Sequence, residues 1–252
     1  MIPRYWVVIP ARYASTRLPA KALLEIGGKP MLAHVHQAAL ASGAERVIIA
    51  TDDKRIEAAA LKFGAEVCMT AKTHNSGTDR VAEVLRQHDV PDDLIVVNVQ
   101  GDEPLLPSVL IQQVAMALHK YTAAQIATLC EPIITIEAVF NPNVVKVVRD
   151  KQGFALYFSR APIPFLRDQF LKDPALFVPN YHFRHIGVYA YRAAYLQHCT
   201  QLSPCALELG EALEQLRVLH DGGKIYVAEA VVDAGIGVDT PEDLERVRAL
   251  FP

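Results

Sequence analysis

Short apolar runs alternate with runs of helical periodicity through the first third of the chain, and this alternation restricts the fold more than any other feature. The predicted strands lie at 6–9, 47–50, 66–69 and 94–99, and the predicted helices between them at 31–42, 53–63 and 78–87. Pro30 precedes the first helix, and Gly43 and Gly64 stand where helices end. A β-α-β-α order predicts an α/β fold with an open, mostly parallel, Rossmann-like sheet and helices on both faces.

The pattern changes near residue 130, where strand-like runs follow one another directly. The predicted elements are a hairpin of 144–149 and 154–159, a loop with some helix at 162–180, a strand at 186–191, a helix at 207–220, a strand at 224–229 and a helix at 241–250. The helix at 207–220 is predicted from Leu209, Leu213 and Leu216, which recur at helical spacing. We expect one domain, 1–252, with a first half of about 1–130 and a smaller mixed α+β lobe of about 131–252.

The composition is typical of an ordered globular protein. At 252 residues, with 51% hydrophobic and 21% charged residues, the chain can bury a large core. The net charge of −3 argues against nucleic acid binding, and no run has the ~20 apolar residues of a membrane span or the layout of a signal peptide. The four scattered cysteines are expected to be buried, reduced thiols. We therefore expect a cytoplasmic enzyme without a membrane span.

The loop after the first predicted strand concentrates positive charge. Arg12, Arg17 and Lys21 lie there among small residues that include Ala11 and Ser15. Small residues let backbone N–H groups approach phosphate oxygens, arginines offer paired hydrogen bonds, and a lysine adds a point charge. The loop contains no P-loop or G-x-G-x-x-G motif. This pattern predicts a polyanion site, with a triphosphate as the expected ligand, and the alternative is a solvated basic loop.

Two aspartates follow extended runs at points where they could meet this loop. Asp102 comes directly after the predicted strand at 94–99 and is preceded by Gly101, a sequence suited to holding Mg²⁺ against a substrate phosphate. Asp239 lies between a glycine-containing extended run and the last predicted helix. Since ligands of open α/β sheets bind beyond the carboxyl ends of the strands, the two carboxylates could share one or two Mg²⁺ ions. The alternative is that each aspartate only caps a helix.

A polar segment opens the predicted helix at 78–87. Ser76 and Gly77 could line a base pocket, and Arg80 could reach a phosphate. Serine, glycine and threonine before a helix are also ordinary capping residues, so both interpretations remain open.

The second half carries polar residues suited to a different ligand. Arg160 and His185 suit the carboxylate of an acidic sugar, while Glu214 and Gln215 suit sugar hydroxyls. A structural histidine and a solvated glutamate are the alternatives. The nine histidines show no H-x-x-x-H or H-E-x-x-H pattern, which argues against a zinc site.

These segments together resemble the CMP-KDO synthetases, or 3-deoxy-manno-octulosonate cytidylyltransferases, of the sugar nucleotidylyltransferase superfamily. The similar segments follow the family's order over most of the chain: 11–21 (beginning A-R-Y-A-S-T-R-L-P), 74–80, 98–104, 140–143, 156–160, 184–187, 213–217 and 237–243. The segments of the second half are the more specific ones, because sugar nucleotidylyltransferases as a group share only the first loop and the Mg²⁺ aspartate.

The resemblance implies transfer of CMP from CTP to 3-deoxy-D-manno-octulosonate (KDO), with release of pyrophosphate, for lipopolysaccharide biosynthesis. It implies that Arg12, Arg17 and Lys21 hold the triphosphate, that Ser76 and its neighbours contact cytosine, and that Asp102 and Asp239 hold Mg²⁺. It implies CTP binding by the first half, about 1–130, and sugar binding and dimerisation by the lobe of about 131–252. The implied sugar pocket comprises Gln100, Arg160, His185, Tyr189, Glu214 and Gln215. The resemblance also implies a homodimer.

Other functions stay open at this point. A related acidic sugar, such as 8-amino-KDO or a sialic acid, could replace KDO. A hexose 1-phosphate could be the acceptor, or the chain could be a nucleotide-binding regulator without turnover. The chain also departs from the family's pattern, with Ala20 where the loop usually has glycine, Ala22 where it usually has proline, and Ala206 before the long predicted helix. If the loop needs a positive φ at Ala20, strain of ~1 kcal/mol is expected there.

Overall fold

Eleven strands and ten helices are present in the computed structural model, which describes residues 2–14, 18–74, 76–173 and 175–251. The strands are β1 (Tyr5–Ala11), β2 (Glu25–Ile26), β3 (Lys29–Pro30), β4 (Arg46–Thr51), β5 (Glu66–Met69), β6 (Ile95–Asn98), β7 (Ile126–Pro132), β8 (Lys146–Arg149), β9 (Ala155–Ser159), β10 (Phe183–Arg192) and β11 (Ile225–Glu229). The helices are α1 (Met31–Ala41), α2 (Lys54–Lys62), α3 (Gly77–Gln87), α4 (Ser108–Lys120), α5 (Ile136–Phe140), α6 (Arg167–Phe170), α7 (Ala193–Cys199), α8 (Ala206–Glu211), α9 (Gln215–His220) and α10 (Pro241–Arg248).

The central sheet has the strand order β11-β7-β10-β6-β1-β4-β5, with β8 and β9 joined to it through β10. The neighbours β6, β1, β4 and β5 run parallel, as do β7 and β11. Strand β10 is antiparallel to both β6 and β7. The largely parallel sheet that the sequence predicts is therefore confirmed. An antiparallel strand at its centre was not predicted.

Helices cover both faces of this sheet, as the sequence predicts. Apolar residues of α1, α2 and α4 pack on one face, and those of α3, α7 and α9 pack on the other. All residues of β6 (Ile95–Asn98) are buried, which explains why this strand reads as a continuous apolar run. Parallel strands covered on both sides bring their carboxyl ends to one edge, where the loops after β1 and β6 meet.

The second half of the chain completes this sheet. The predicted boundary near residue 130 falls inside β7, and β10 and β11 pair with β7. The predicted hairpin is present as β8 and β9, which pair antiparallel around Gly153, a residue with φ of 91°. The long loop predicted at 162–180 contains the four-residue helix α6.

The prediction of a single helix at 207–220 is wrong. Helix α8 ends at Glu211, Ala212 has φ of 50° and ψ of 50°, and α9 begins at Gln215. The guanidinium of Arg160 donates to the carbonyl oxygens of Glu211 at 2.7 Å and Ala212 at 3.4 Å. In a continuous helix, both carbonyls would accept hydrogen bonds from backbone N–H groups of the next turn. Arg160, which is distant in the sequence, replaces these donors and so stabilises the break. Leu209 is 71% exposed and takes no part in the core.

All four cysteines are free and buried, in agreement with the prediction of reduced thiols. Among the described helices, none combines the length and the apolar character that crossing a membrane requires.

Candidate active site

A cleft of about 380 Å³ opens at the carboxyl ends of β1 and β6. Its lining residues come from the loop after β1, the start of α3, the loop after β6, the break between α8 and α9, and the segment before α10: Pro10, Ala11, Arg12, Lys21, Ala22, His74, Ser76, Gly77, Thr78, Arg80, Gln100, Gly101, Asp102, Glu214 and Asp239. The cleft thus brings together most of the residues that the sequence predicts for the nucleotide and the metal. Ser15 and Arg17 lie outside the described residues.

We call the loop from Arg12 to Lys21 the phosphate loop, after the ligand that the sequence predicts for it, and a backbone hydrogen bond joins its two described ends. The N–H of Ala20 donates to the carbonyl of Tyr13 at 3.2 Å, which closes the loop. Ala20 has φ of 56° and ψ of 29°, in the left-handed region that L side chains avoid. The positive φ expected at this departure from the family pattern is therefore present. A 3-10 helix, Lys21–Leu23, follows directly and turns Lys21 toward the cleft.

Lys21 joins the two aspartates that the sequence singles out. Its Nζ lies 2.5 Å from Asp102 Oδ2 and 3.1 Å from Asp239 Oδ1, and it donates to the carbonyl of Val238 at 2.9 Å. The N–H of Val238 donates to the carbonyl of Asp102 at 2.9 Å, so the two aspartate segments are hydrogen-bonded through their backbones. The two carboxylates therefore face one cationic position at the edge of the cleft.

Neither aspartate is a helix cap. Thr240 is the N-cap of α10 and forms a capping box with Asp243, while Pro107 occupies the N-cap position of α4. This arrangement removes the capping alternative for Asp102 and Asp239 and leaves their carboxylates to the cleft.

Gly101 allows the loop after β6 to approach the loop after β1. A Cβ atom at this position would lie 3.0 Å from the carbonyl oxygen of Pro10. That distance is shorter than an ordinary carbon–oxygen van der Waals contact, so a larger residue would require the backbone at Pro10 to shift by a few tenths of an ångström.

Glu103 lies beside the carboxylate pair and was not predicted as a site residue. Burial raises the pKa of its carboxyl to about 7, and the charges of Asp102 and Asp239 act in the same direction, while Arg184 opposes them. A neutral carboxyl at this position reduces the repulsion among three neighbouring acidic groups.

The start of α3 forms the opposite wall. Ser76 is the N-cap of α3 and makes a capping box with Asp79, so the capping interpretation is confirmed, yet Ser76 and Gly77 also line the cleft. Arg80 is only 4% exposed; its guanidinium hydrogen-bonds the hydroxyl of Thr70 and reaches Asp52 Oδ2 at 3.2 Å. Its guanidinium is thus engaged with the loops after β4 and β5.

An inner pocket of about 90 Å³ adjoins the cleft on the face of the sheet that carries α3 and α9. Its lining residues are Thr78, Asn98, Gln100, Ile126, Tyr189, Tyr191, Cys199, Glu214, Gln215, Arg217 and Val218. Four of the six predicted sugar residues are among them, namely Gln100, Tyr189, Glu214 and Gln215. Thr78, Gln100 and Glu214 line both spaces, so the pocket and the cleft adjoin at these residues.

Thr78 links the two sides of the inner pocket. Its hydroxyl lies near both Glu214 and Tyr191 and favours the charged form of each. Desolvation raises the pKa of Glu214 above its ordinary value, and Thr78 partly opposes this shift. Burial also raises the pKa of Tyr191 well above its ordinary value, so its hydroxyl remains a neutral hydrogen-bonding group.

The other two predicted sugar residues, Arg160 and His185, are not among the lining residues of either space. Arg160 donates to the backbone carbonyls of Glu211, Pro142 and Ala212. The ring of His185 lies 5.1 Å from that of Phe158 and 5.2 Å from that of Tyr189.

A larger open groove of about 750 Å³ lies elsewhere on the surface, along β8, β11 and Tyr121. It contains none of the residues that the sequence predicts for nucleotide, metal or sugar. The smaller cleft is the candidate active site, because the cations, the paired carboxylates and the carboxyl ends of the strands meet there.

The donor set at the cleft fits a hard divalent cation. Asp102 and Asp239 offer carboxylate oxygens, the ligand type that Mg²⁺ prefers, and Mg²⁺ usually takes one or two carboxylates together with substrate phosphates and water. Among the described residues, no group of three or more histidine, cysteine or acidic side chains is placed to hold a metal. The arrangement thus suits a metal that arrives with a nucleotide better than a permanent all-protein site.

Comparison with known proteins agrees with this geometry. Residues 6–225 match the family model described as cytidylyltransferase. A relative from Aeromonas hydrophila subsp. hydrophila, named 3-deoxy-manno-octulosonate cytidylyltransferase, is 58% identical over 249 residues, which cover 97% of this chain and 98% of the relative. A relative of the same name from Nitrosococcus oceani is 55% identical, with 98% of this chain and 96% of the relative covered.

Solved structures point the same way. A CMP:2-keto-3-deoxy-manno-octonic acid synthetase, solved in complex with CTP, is similar with a TM-score of 0.88 and 44% identity over 98% of both chains. A cytidylyltransferase from Leptospira borgpetersenii serovar Hardjo-bovis has a TM-score of 0.62 at 16% identity, covering 98% of this chain and 86% of its own, and shares the fold. The chain is therefore a nucleotidyltransferase that belongs to the cytidylyltransferase family and, within it, to the 3-deoxy-manno-octulosonate cytidylyltransferases.

Proposed function

We propose that the protein transfers CMP from CTP to KDO, giving CMP-KDO and pyrophosphate for lipopolysaccharide biosynthesis. The observation that carries the proposal is the adjacency of two spaces: a cleft with cations and paired carboxylates adjoins a pocket lined by hydroxyl, amide and carboxyl groups. The first space has the chemistry of a nucleoside triphosphate site, and the second has that of a polyhydroxylated sugar site.

The nucleotide occupies the cleft in this proposal. Arg12, Lys21 and, as the resemblance implies, Arg17 bind the phosphates, and Ala11 brings a backbone group close to them. Ser76 and Gly77 contact cytosine, at the start of α3. Arg80 stabilises the wall behind the base, because its guanidinium is bound to Thr70 and Asp52.

The sugar acid occupies the inner pocket. Gln100, Tyr189, Glu214 and Gln215 contact its hydroxyl groups, since all four line that space. The resemblance also implies sugar contacts from Arg160 and His185. Their positions beside the α8–α9 break and beside Tyr189 support an indirect contribution to the shape of the pocket.

The reaction is a direct displacement at the α-phosphorus of CTP. The anomeric hydroxyl oxygen of KDO forms the new P–O bond, the bond to the β-phosphate oxygen breaks, pyrophosphate leaves with the bonding pair, and the hydroxyl proton passes to solvent. Arg12 and Lys21 hold the triphosphate in line and neutralise charge on the leaving group. No side chain is assigned as a general base.

We propose Mg²⁺ as the cofactor. Asp102 and Asp239 would hold it, because they share one cationic position. When bound with a nucleotide, Mg²⁺ supplies charge neutralisation at the phosphates and lowers the pKa of an adjacent hydroxyl.

We also propose a cytoplasmic homodimer, with CTP and KDO as the small-molecule partners. The resemblance implies the dimer, and exposed apolar side chains of the second half support it, including Ile134 at 79% and Leu171 at 73% exposure. Analytical ultracentrifugation at micromolar concentration tests the assembly: the dimer mass is expected, and the monomer mass would contradict it.

Pyrophosphate release tests the catalytic proposal. Purified protein with Mg²⁺ is assayed with each of CTP, UTP, ATP and GTP against KDO, 8-amino-KDO, a sialic acid and a hexose 1-phosphate. We expect release with CTP and KDO at a rate above every other combination. Faster release with 8-amino-KDO would transfer the assignment to that sugar, and no release with any combination would favour a nucleotide-binding regulator.

A further inference from the structure

Asn98 is a buried polar residue at the floor of the inner pocket that the proposed function leaves without a role. It is the last residue of β6 and only 2% exposed. Its Cα pairs with that of Tyr189 on β10, and alternation along the strand puts its side chain on the same face as that of Gln100. All three residues line the inner pocket.

The Asn98 side chain has an unsatisfied acceptor. Among the described residues, no hydrogen-bond partner lies within reach of Oδ1, and the atom is buried. Buried polar atoms nearly always have a partner, and an amide oxygen without one is costly, so such an atom at a pocket floor points to a ligand that completes it.

The inner pocket can admit that ligand. Its volume of about 90 Å³ exceeds what one water molecule fills. It adjoins the cleft at Thr78, Gln100 and Glu214, the side on which a molecule bound in the cleft would lie.

The lining of the pocket suits hydroxyl groups, because Glu214 and Arg217 are the only charged residues among the described ones that line it, and the other polar groups are amides and hydroxyls. Asn98 and Glu214 present acceptor oxygens, whereas the cation in the wall, Arg217, is engaged by Glu208 at 2.7 Å and 2.5 Å and by the carbonyl of Leu202 at 2.9 Å. An anionic carboxylate would meet these acceptors without a free cation. A hydroxyl group, which can donate, fits them.

We propose that the side-chain amide of Asn98 forms a hydrogen bond with one hydroxyl of the sugar acid, which makes Asn98 a specificity-determining residue of the sugar site. The inference rests on the proposed function and deepens it. The same contact orients the substrate: the polyhydroxyl part enters the inner pocket, and the carboxylate stays toward the cleft.

The test combines Asn98→Leu, which keeps the side-chain size and removes the acceptor, with KDO and a set of deoxy analogues that each lack one hydroxyl. For the wild-type protein, one analogue is expected to lose about tenfold or more in kcat/KM relative to KDO. In Asn98→Leu, kcat/KM for KDO is expected to fall by a similar factor. The variant's discrimination between KDO and that analogue is expected to vanish, while the KM for CTP stays within twofold.

Asn143→Leu, at an exposed position, is the matched control and is expected to keep the wild-type discrimination. The inference is overturned if Asn98→Leu retains the wild-type preference for KDO over every deoxy analogue. It is also overturned if the kcat/KM values of the wild-type protein for all deoxy analogues lie within threefold of its value for KDO. This second outcome needs no variant, so the inference stays testable if Asn98→Leu does not fold. A wild-type protein inactive with CTP and KDO would instead refute the proposed function, so the two failures are distinct.

Discussion

Lys21 and Asp102 form a direct ion pair, with Nζ and Oδ2 2.5 Å apart, at the point where the loops after β1 and β6 meet. The lysine side chain is 14% exposed, so the pair is partly shielded from water. The same ammonium group reaches Asp239 at 3.1 Å. One cation thus connects the phosphate loop to both carboxylates, and charge balance at this point is the physical basis of the proposed chemistry.

Lys21→Met removes this cation while keeping most of the apolar stem. We expect kcat to fall about 100-fold, because the charge on the triphosphate and on the leaving pyrophosphate loses a counter-charge. The affinity for CTP, measured by calorimetry, should fall at least tenfold. Lys29→Met, at an exposed lysine on β3, is the control and should change neither quantity. Wild-type kcat in Lys21→Met would exclude Lys21 from phosphate binding.

Ala20→Gly is expected to stabilise the protein. Relief of the left-handed backbone strain raises the free energy of unfolding by ~1–2 kcal/mol. The greater conformational entropy of glycine in the unfolded chain cancels part of this gain. The net gain in the free energy of unfolding should be about 0.5–1 kcal/mol. Ala58→Gly, at an exposed position in α2, is the control and should lose about 1 kcal/mol. Urea unfolding measures both, and equal losses in the two variants would argue against strain at Ala20.

Arg160→Ala separates a positioning role from a purely ligand-binding one. The guanidinium donates to the carbonyls of Glu211 at 2.7 Å and Pro142 at 2.8 Å. Without these bonds we expect a loss of about 2–3 kcal/mol in the free energy of unfolding. The KM for KDO should rise while the affinity for CTP is unchanged. Arg167→Ala, at an exposed arginine, is the control. Unchanged stability in Arg160→Ala would show that the residue does not hold the α8–α9 break.

His185 makes the stability of the fold depend on pH. Burial lowers the pKa of its imidazole to about 3 from 6.5. Between these values the unfolded chain binds a proton that the folded chain does not, so stability falls as the pH drops through 6.5. From pH 7 to pH 5 the wild type should lose up to about 2 kcal/mol more than His185→Gln in urea unfolding. His220→Gln, at an exposed histidine, should behave like the wild type, and equal losses in wild type and His185→Gln would contradict the prediction.

The sheet and the location of the cleft could be predicted because each follows from local sequence. β6 is buried on both faces, so its apolar run is unambiguous, and parallel strands place the loops after β1 and β6 side by side. Arg12, Lys21 and Asp102 lie on those loops, which is why charge and position identified them.

The parts that could not be predicted depend on distant contacts. The helical spacing of Leu209, Leu213 and Leu216 predicts one helix. The helix is broken between α8 and α9, where Arg160 binds backbone carbonyls that a continuous helix would use. The sequence around Thr78 is typical of the first turn of a capped helix, and Asn98 is the polar last residue of an apolar strand. Only the packing of α9 over β6 and β10 makes them the wall and floor of a pocket.

Single-turnover pyrophosphate release by Asp102→Asn and Asp239→Asn, each made alone, tests the central claim most directly. Each substitution keeps the side-chain shape and removes one of the charges that face Lys21. We predict that each variant falls at least 100-fold below wild type in rate, since each removes half of the shared acidic site. Glu242→Gln, an exposed acidic residue on α10, should keep the wild-type rate. Near-wild-type rates in both aspartate variants would contradict the claim that the phosphate loop and the paired carboxylates act on one nucleotide.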